Sequence, residues 1–527
     1  MLLSLGLNLW GIDHGLPRVY NPDEKFHFVP KAVGFVASGS LDPDYYVNPP
    51  GFSYVLCGVF WLWFGGAKDL LSADWPELFL VGRVTAAVLG SISVLFIYLV
   101  GRRFFDRQVG LVSAVLMAVA FLPVYQAKIA VNDVPSVAPV AVALFGVGGI
   151  VQWGRRRDYV IAGAGLGIAI GIKYTAGMVL MALLAGAAVD LRRRGTQALP
   201  FIELGALGAV GAFALSTPIS VLDPQKYFSS LLGTFKVTPP GEVKLGQGEV
   251  NGLLHYLWVF SWGFGWLPSL TAIGGAVVLV RRNLPLAAVL IPAPVLYVAF
   301  MAMRNVYVSR YMLPVFPFVA LLAGFGLCTL VPAVFRRQRR LVAPVLVIAV
   351  IAVTLQSVIH DVHVGRVHSR PNTREVALNW MVDNIPHDAK VAIEPMYMRP
   401  ELPGTGNINA LRNDVTPWQL VPWPRPDLTE LRPGLLDMLA RRGVCWVVTG
   451  TTQEAIARQE PERLPGAIAF YEALERREEL MHRIDPFEPG SEPVPFNFDW
   501  AINYYPLEYE RPGPEIHVYR LQHKACG

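Results

Sequence analysis

Charge is what this sequence has least of. Only 16% of its 527 residues are Asp, Glu, Lys or Arg, against 53% hydrophobic, whereas ordinary soluble domains carry roughly 25% charged residues. A single water-soluble globule is thereby excluded. Cysteine is scarce as well, at four residues, which sets no disulfide framework. Cys57 and Cys328 lie in apolar stretches. Cys445 and Cys526 lie in a polar region and can pair only in an oxidising compartment; the sequence does not show that they meet. A nucleotide-binding glycine loop is also missing. The stretch "GAGLGIAIG" (Gly163–Gly171) looks like one, but no strand precedes it, so small-residue helix packing is expected there. The first segment, Met1–Trp10, has no basic run and no small-residue cleavage site, and it is too short to cross a bilayer. It reads as a partial helix or as the remainder of a longer one.

Long apolar runs are present, and they stop. Up to about Ile359 they follow one another closely; beyond it the text turns polar and proline-rich. Two domains are expected, a membrane part over 1–359 and a water-soluble part over 360–527. Charge divides the same way. Residues 1–359 hold 27 Lys+Arg against 16 Asp+Glu, and residues 360–527 hold 18 against 24. A basic membrane part is what topology signals require, so it is no nucleic-acid footprint.

Ten runs read as spans: Leu78–Val100, Val109–Tyr125, Val134–Trp153, Tyr159–Ile172, Thr175–Val189, Pro200–Thr217, Leu253–Val280, Leu284–Met303, Met312–Val334 and Leu341–Ile359. With the short first segment this makes about eleven helices. Five basic loops punctuate them: "GRRFFDR", "GRRRD", "DLRRRG", "RRN" and "FRRQRR". The positive-inside rule puts all five in the cytoplasm. The N-terminus then faces in, and the loops around Asp23, Asp133, Lys173 and Arg310 face out with the C-terminal domain. The run "GFSYVLCGVFWLWFGG" (Gly51–Gly66) would invert this order if it crossed, so it reads as a helix at the outer interface. The chain is expected to be an integral protein of the plasma membrane.

Several charges then need a reason. Lys173 sits in "GIAIGIKYTAGMVL" between two short half-spans, and a lysine at the centre of a lipid-facing helix costs about 2.5–3.5 kcal/mol. It reads either as a cation in a polar cavity, suited to a lipid phosphate, or as a turn lysine reaching outer headgroups. Arg83 enters the first full span and reads as an interface anchor or a phosphate contact. Arg304 and Arg310 sit in an outer loop against the charge rule, which points to an anion held there or to a structural acidic partner. Trp258, Trp262 and Trp266 recur every four residues, along one helix face, as an interfacial belt or a sugar-stacking surface.

Acids complete the pattern. Asp23 and Glu24 stand together in "NPDEKFHF", and Asp133 closes "YQAKIAVNDVPS" just before a helix. Asn132 or Asp133 suits the cap of that helix, with Pro135 in its first turn; Asp133 also reads as a second carboxylate facing the same cavity as Asp23. One carboxylate would be a general base on an acceptor hydroxyl, the other an orienting group. Asp23, Glu24 and His27 are the weak candidates for a divalent metal, without regular ligand spacing.

The order "NPDE", "NPPGFSYVL", "GRRFFDRQVGLVSAVLMA", "KIAVNDVPSVAPVAVAL", "GLGIAIGIKYTAGMVL" and "SRYMLPVFPFVALLAG" resembles membrane glycosyltransferases of the GT-C class. It is most similar to family 39: protein O-mannosyltransferases, aminoarabinose transferases and their bacterial relatives. The resemblance covers most of Met1–Ile359. It implies a hexosyl- or pentosyltransferase that moves a sugar from a dolichyl- or undecaprenyl-phosphate carrier to a lipid, glycan or protein acceptor outside the membrane, with inversion. It makes Asp23 the catalytic base with Glu24 beside it and Asp133 assisting. It sets Arg83, Lys128, Lys173, Arg310, Tyr311 and Asn48 toward the substrate. Asn48 stands where the family often has Lys before the two prolines, so one cation is missing, and Lys25 and His27 replace more usual neutral or aromatic residues. The rival reading is a flippase of a lipid-linked glycan, which should show two related halves with broken midplane helices; no such repeat is visible.

Outside the spans, Pro218–Gly252 reads as a lid over the site. In the C-terminal domain "TREVALNWMVDNI" and "LLDMLARRG" read as helices, and "KVAIEP", "VCWVVTG" and "EIHVYRL" as strands of a small α/β fold.

Overall fold

The computed structural model describes residues 1–236, 251–304, 306–335, 337–394, 418–421, 423, 428–494, 504–524 and 526. It divides into two compact units. One comprises Met1–Ile12 with the described residues from Asp23 to His363; the other comprises Asp13–Pro22 with those from Val364 onward.

The first unit is helical, and seven of its described helical stretches are long and apolar enough to cross a bilayer. The chain is an integral membrane protein. Each expected run lies on helix, with two informative departures. The runs Thr175–Val189 and Pro200–Thr217 are two helices as expected, Leu180–Arg194 and Leu199–Ser216, separated at Gly195, whose φ of 61° suits glycine. Val109–Tyr125 is not one continuous helix. It breaks into Arg107–Ala118 and Phe121–Gln126, because Pro123 has no N–H to continue the ladder and Ala120 is extended. The second departure concerns the tryptophans. A π-helical turn, Ser261–Gly265, interrupts the helix that carries them. Its extra residue breaks the four-residue register. Trp258 and Trp262 meet edge to face at 5.5 Å, but Trp266 is 60% exposed while Trp262 is buried. The three indoles therefore do not form one stripe.

Gly51–Phe64 forms a 14-residue helix. At 1.5 Å per residue it is about 21 Å long, short of a bilayer core. Its outer turns expose Trp61, Leu62 and Trp63.

Helix association in lipid has no apolar-burial drive and rests on close packing. The glycines of "GAGLGIAIG" supply it. A Cβ on Gly163 or Gly167 would sit 2.0 Å or 2.2 Å from the carbonyls of Gly205 and Ala209, and one on Gly165 would sit 2.4 Å from the Ala143 nitrogen. The helix Arg156–Ile172 is thus wedged between Val137–Gln152 and Leu199–Ser216, as the small residues suggest. Acids at the basic end tie these helices together: Asp158 binds Arg103 at 2.8 Å, and Asp190 binds Arg193 at 2.6 Å and the Tyr159 hydroxyl at 2.9 Å.

The second unit carries a five-stranded mixed sheet of β1 (Lys390–Ile393), β2 (Gln419–Val421), β3 (Val444–Gly450), β4 (Glu479–Ile484) and β5 (Ile516–Arg520), in the order β2-β1-β3-β5-β4. The first three are parallel, and β5 and β4 join antiparallel. Strand alternation divides the core. Ala392, Val447 and Tyr519 face one apolar layer, and Val391, Val448 and Val518 the other, with the helix Thr373–Asn384. Strands β1, β3 and β5 and both expected helices are where the sequence places them. β4 escapes notice because its first residues are polar or exposed. Cys445 on β3 and Cys526 form a disulfide.

Glu394, at the end of β1, is buried in this unit. It accepts from the Gly450 N–H at 3.1 Å and from the Tyr471 hydroxyl. Burial outweighs both bonds and pushes its carboxyl up to about 7. Between its ordinary range and about 7, the unfolded chain releases a proton that the folded chain keeps, so stability falls as pH rises through that window. The full effect is about 3 kcal/mol. Thermal midpoints of the full chain between pH 5 and pH 8 are expected to fall, and Glu394→Gln is expected to flatten the decline; an equal slope in the variant counts against this assignment.

Candidate active site

The neighbours Asp23 and Glu24 do different work. Pro22 precedes a π-helical turn, Glu24–Phe28, that leads into the helix Val29–Ser38. Consecutive residues on a helix point roughly 100° apart. Glu24 turns inward and is fully buried. Its two oxygens accept from Arg83 Nε and Nη2 at 2.8 and 2.9 Å, and Oε1 also accepts from the Ala130 N–H at 2.8 Å. Arg83 spends Nη1 on the Ile12 carbonyl at 2.8 Å. These bonds place Arg83 and Glu24 in a buried structural pair, not facing a carrier phosphate or a substrate.

Asp23 turns the other way. Its carboxylate caps no backbone N–H of its helix and is 30% exposed. Arg310 Nη2 donates to it at 2.5 Å, and Arg310 Nε lies 3.9 Å from Asp133 Oδ2. Asp133 is only 3% exposed and is ion-paired with Lys173. Four charges thus run in a chain, Asp23–Arg310–Asp133–Lys173. They come from three connecting segments and one helix junction, separated by up to 287 positions in sequence.

Local backbone explains the placement. Lys173 is the extended residue between the helix Arg156–Ile172 and the 3₁₀ turn Tyr174–Val179, so the helix end delivers a lysine instead of continuing. Asn132 satisfies the orphan carbonyl of Ile172 at 2.7 Å. Asp133 does not cap the following 3₁₀ turn Val134–Ser136 with its side chain, so the capping role is not the one it plays. Arg310 lies in the 3₁₀ turn Ser309–Val315, and the ring of its neighbour Tyr311 lies 5.4 Å from Lys173 Nζ.

Beside Asp23, the His27 ring stacks on Tyr45 at 4.0 Å. The Tyr45 hydroxyl accepts from Asn48 at 3.0 Å, and Asn48 meets Asn132 at 3.4 Å. Asn48 therefore orders the loop around the cluster. Burial alone would raise the Asp23 carboxyl, but Arg310, His27 and Lys173 outweigh it and hold Asp23 below its usual value. Burial lowers His27 below its ordinary value, with Asp23 opposing.

Lys128 is elsewhere. It donates to the carbonyls of Leu7 and, at 2.6 Å, Trp10, closing the carboxyl end of the first helix, Leu2–Leu9. Arg304 lies over the Phe300 ring at 5.9 Å. Among the described residues no three His, Cys, Asp or Glu side chains converge as a metal site, and Glu24 cannot join Asp23 and His27 while Arg83 and Ala130 take its oxygens. Residues 237–250, the later part of the expected lid, lie outside the described residues. What precedes them is tied near the site: Lys226 pairs with Asp42, and the Tyr227 and Tyr174 hydroxyls meet at 3.0 Å. The sequence reading missed Tyr45 and this tyrosine pair and took Asn132 only as a candidate cap; the signal for Tyr45 was the paired tyrosines of "DPDYYVNPP" beside the prolines.

A family model described as dolichyl-phosphate-mannose-protein mannosyltransferase matches residues 77–218, a segment that holds Asp133 and Lys173 but neither Asp23 nor Arg310. Among solved structures, ArnT from Cupriavidus metallidurans in the apo state is 17% identical, with a TM-score of 0.52 over 87% of this chain and 94% of that one. The chain has the GT-C fold. The same ArnT bound to undecaprenyl phosphate is 16% identical, with a TM-score of 0.51 over 100% of this chain and 98% of that one. A third GT-C structure, the archaeal oligosaccharyltransferase AglB from Archaeoglobus fulgidus with an inhibitory peptide and a dolichol-phosphate, is 14% identical, with a TM-score of 0.53 over 95% of this chain and 74% of that one. Comparison with curated proteins finds no match.

Proposed function

We propose that the chain is an inverting membrane glycosyltransferase that transfers a sugar from a polyprenyl-phosphate carrier to an acceptor on the extracytoplasmic side. The observation that carries this reading is the Asp23–Arg310–Asp133–Lys173 chain, which sets a partly open carboxylate beside a largely covered arginine and a buried lysine. Asp23 takes the acceptor hydroxyl proton. The freed oxygen attacks the anomeric carbon opposite the phosphate. The bond from that carbon to the phosphate oxygen breaks, and its electron pair stays on the phosphate, where Lys173 and Arg310 meet the growing charge. Asp133 orients both cations. The fold shared with ArnT and AglB supports transfer over lipid flipping.

The same reading puts the N-terminus in the cytoplasm of a plasma membrane and the sheet unit outside. Five arginine-rich loops, which the positive-inside rule assigns to the cytoplasm, support it, as does a disulfide in the sheet unit, which an oxidising space preserves.

The test is the purified chain in lipid vesicles, given a panel of polyprenyl-phosphate sugars with candidate lipid, glycan and peptide acceptors. Release of carrier phosphate with transfer is the expected result. Lipid-linked glycan crossing the bilayer with no transfer from any donor would overturn the proposal in favour of a flippase.

A further inference from the structure

Two groups have a claim on Arg310. One end of its guanidinium is committed to Asp23, at 2.5 Å. The other end, Nε, is buried, makes no hydrogen bond among the described residues and lies 3.9 Å from Asp133, which is already paired with Lys173. The four side chains carry two positive and two negative charges, so the resting cluster is neutral. It holds no surplus cation for an arriving anion. A phosphate that enters beside Lys173 and Arg310 must compete with carboxylates already in place. The planar fork of arginine can bridge two anionic groups at once, which a lysine ammonium does less well.

We propose that Arg310 is a shared residue: it holds Asp23 in the free enzyme and passes to the carrier phosphate as the acceptor proton reaches Asp23. This rests on the transferase reading above and adds a coupling to it. Charge balances at each stage. Protonation of Asp23 removes one negative charge there. Cleavage of the bond to the sugar leaves one more on the phosphate oxygen. Arg310 lies where it can follow that charge, so base and leaving group are linked through one guanidinium instead of acting separately. Lys173, held by Asp133, keeps its place throughout.

The coupling has a result that a plain phosphate-binding arginine lacks. Removing the charge of Asp23 should release Arg310 and tighten carrier binding, even as it stops transfer. The experiment measures equilibrium binding of undecaprenyl phosphate, with no sugar attached, to the full chain in lipid nanodiscs. The variants are Asp23→Asn, Arg310→Gln and the double replacement, with Arg310→Lys as a second background should the glutamine variant fold poorly. Thermal midpoints establish that each is folded. Asp23→Asn is expected to tighten binding about 5–10-fold when Arg310 is present and less than about twofold in the Arg310→Gln or Arg310→Lys background. Equal tightening in both backgrounds would mean simple relief of repulsion and would overturn the sharing. Unchanged or weaker binding by Asp23→Asn would overturn it too. Absence of binding by every folded variant, wild type included, would remove the donor reading itself, a failure distinct from the other two.

Discussion

Replacing Asp23 with asparagine is expected to lower sugar transfer about 10²–10⁴-fold, the range usual for a general base, while the chain stays folded. Asparagine keeps the size of the side chain, but its uncharged amide oxygen holds Arg310 far more weakly than the carboxylate does. It cannot take a proton from the acceptor. Asp23 is partly open to solvent and makes no backbone cap, so little of the fold depends on its charge. Initial rates with saturating donor, set beside the thermal midpoint, separate the two contributions. A variant that transfers as fast as wild type would remove Asp23 from the reaction. A variant that loses activity only in proportion to lost folded protein would make it structural.

Glu24 should behave in the opposite way. Truncating it to alanine strands the Arg83 guanidinium in a buried site, and breaking a buried pair typically costs about 3–5 kcal/mol. Many proteins have only about 5–15 kcal/mol in total. The expected result is a sharp fall in folded, monodisperse protein, with transfer per folded molecule changed far less. Replacing both partners, Glu24→Leu with Arg83→Met, removes the stranded charge and should recover part of the loss. Recovery stays incomplete because the Ile12 carbonyl and the Ala130 N–H each lose a partner. A stable, well-folded Glu24→Ala chain without activity would instead return Glu24 to the chemistry.

These contrasting outcomes show what the sequence could and could not carry. Asp23 and Glu24 are adjacent and chemically alike. Only a partner 59 positions away, Arg83, tells them apart. Lys128 shows the same limit: its neighbouring sequence does not tell a lysine set toward a substrate from one that closes a helix end on carbonyls. Lys173, Asp133 and Arg310 were legible because a charge in such surroundings is costly, and cost narrows the choices. The spans were legible because bilayer thickness sets their length. Their interruptions were less so. Pro123 signals the break at Ala120 plainly in hindsight, but the π-helical turn at Ser261–Gly265 depends on how the tryptophans pack. In the sheet unit, apolar β3 and β5 announced themselves, whereas β2, three residues long, and β4, largely exposed, did not.

The glycine-wedged helix Arg156–Ile172 has a genetic corollary. It ends one residue before Lys173. Gly165 is eight residues from that lysine, about 12 Å along the axis. A methyl group added there would meet the Ala143 backbone, and a rigid rod relieves such a clash by sliding or tilting as a whole. Its tip would carry the lysine with it. Loss-of-function alleles recovered by random mutagenesis should therefore cluster not only at the charged chain but also along the glycine-rich face of this one rod. Suppressors should arise on the two helices that grip it, at residues that never approach a sugar.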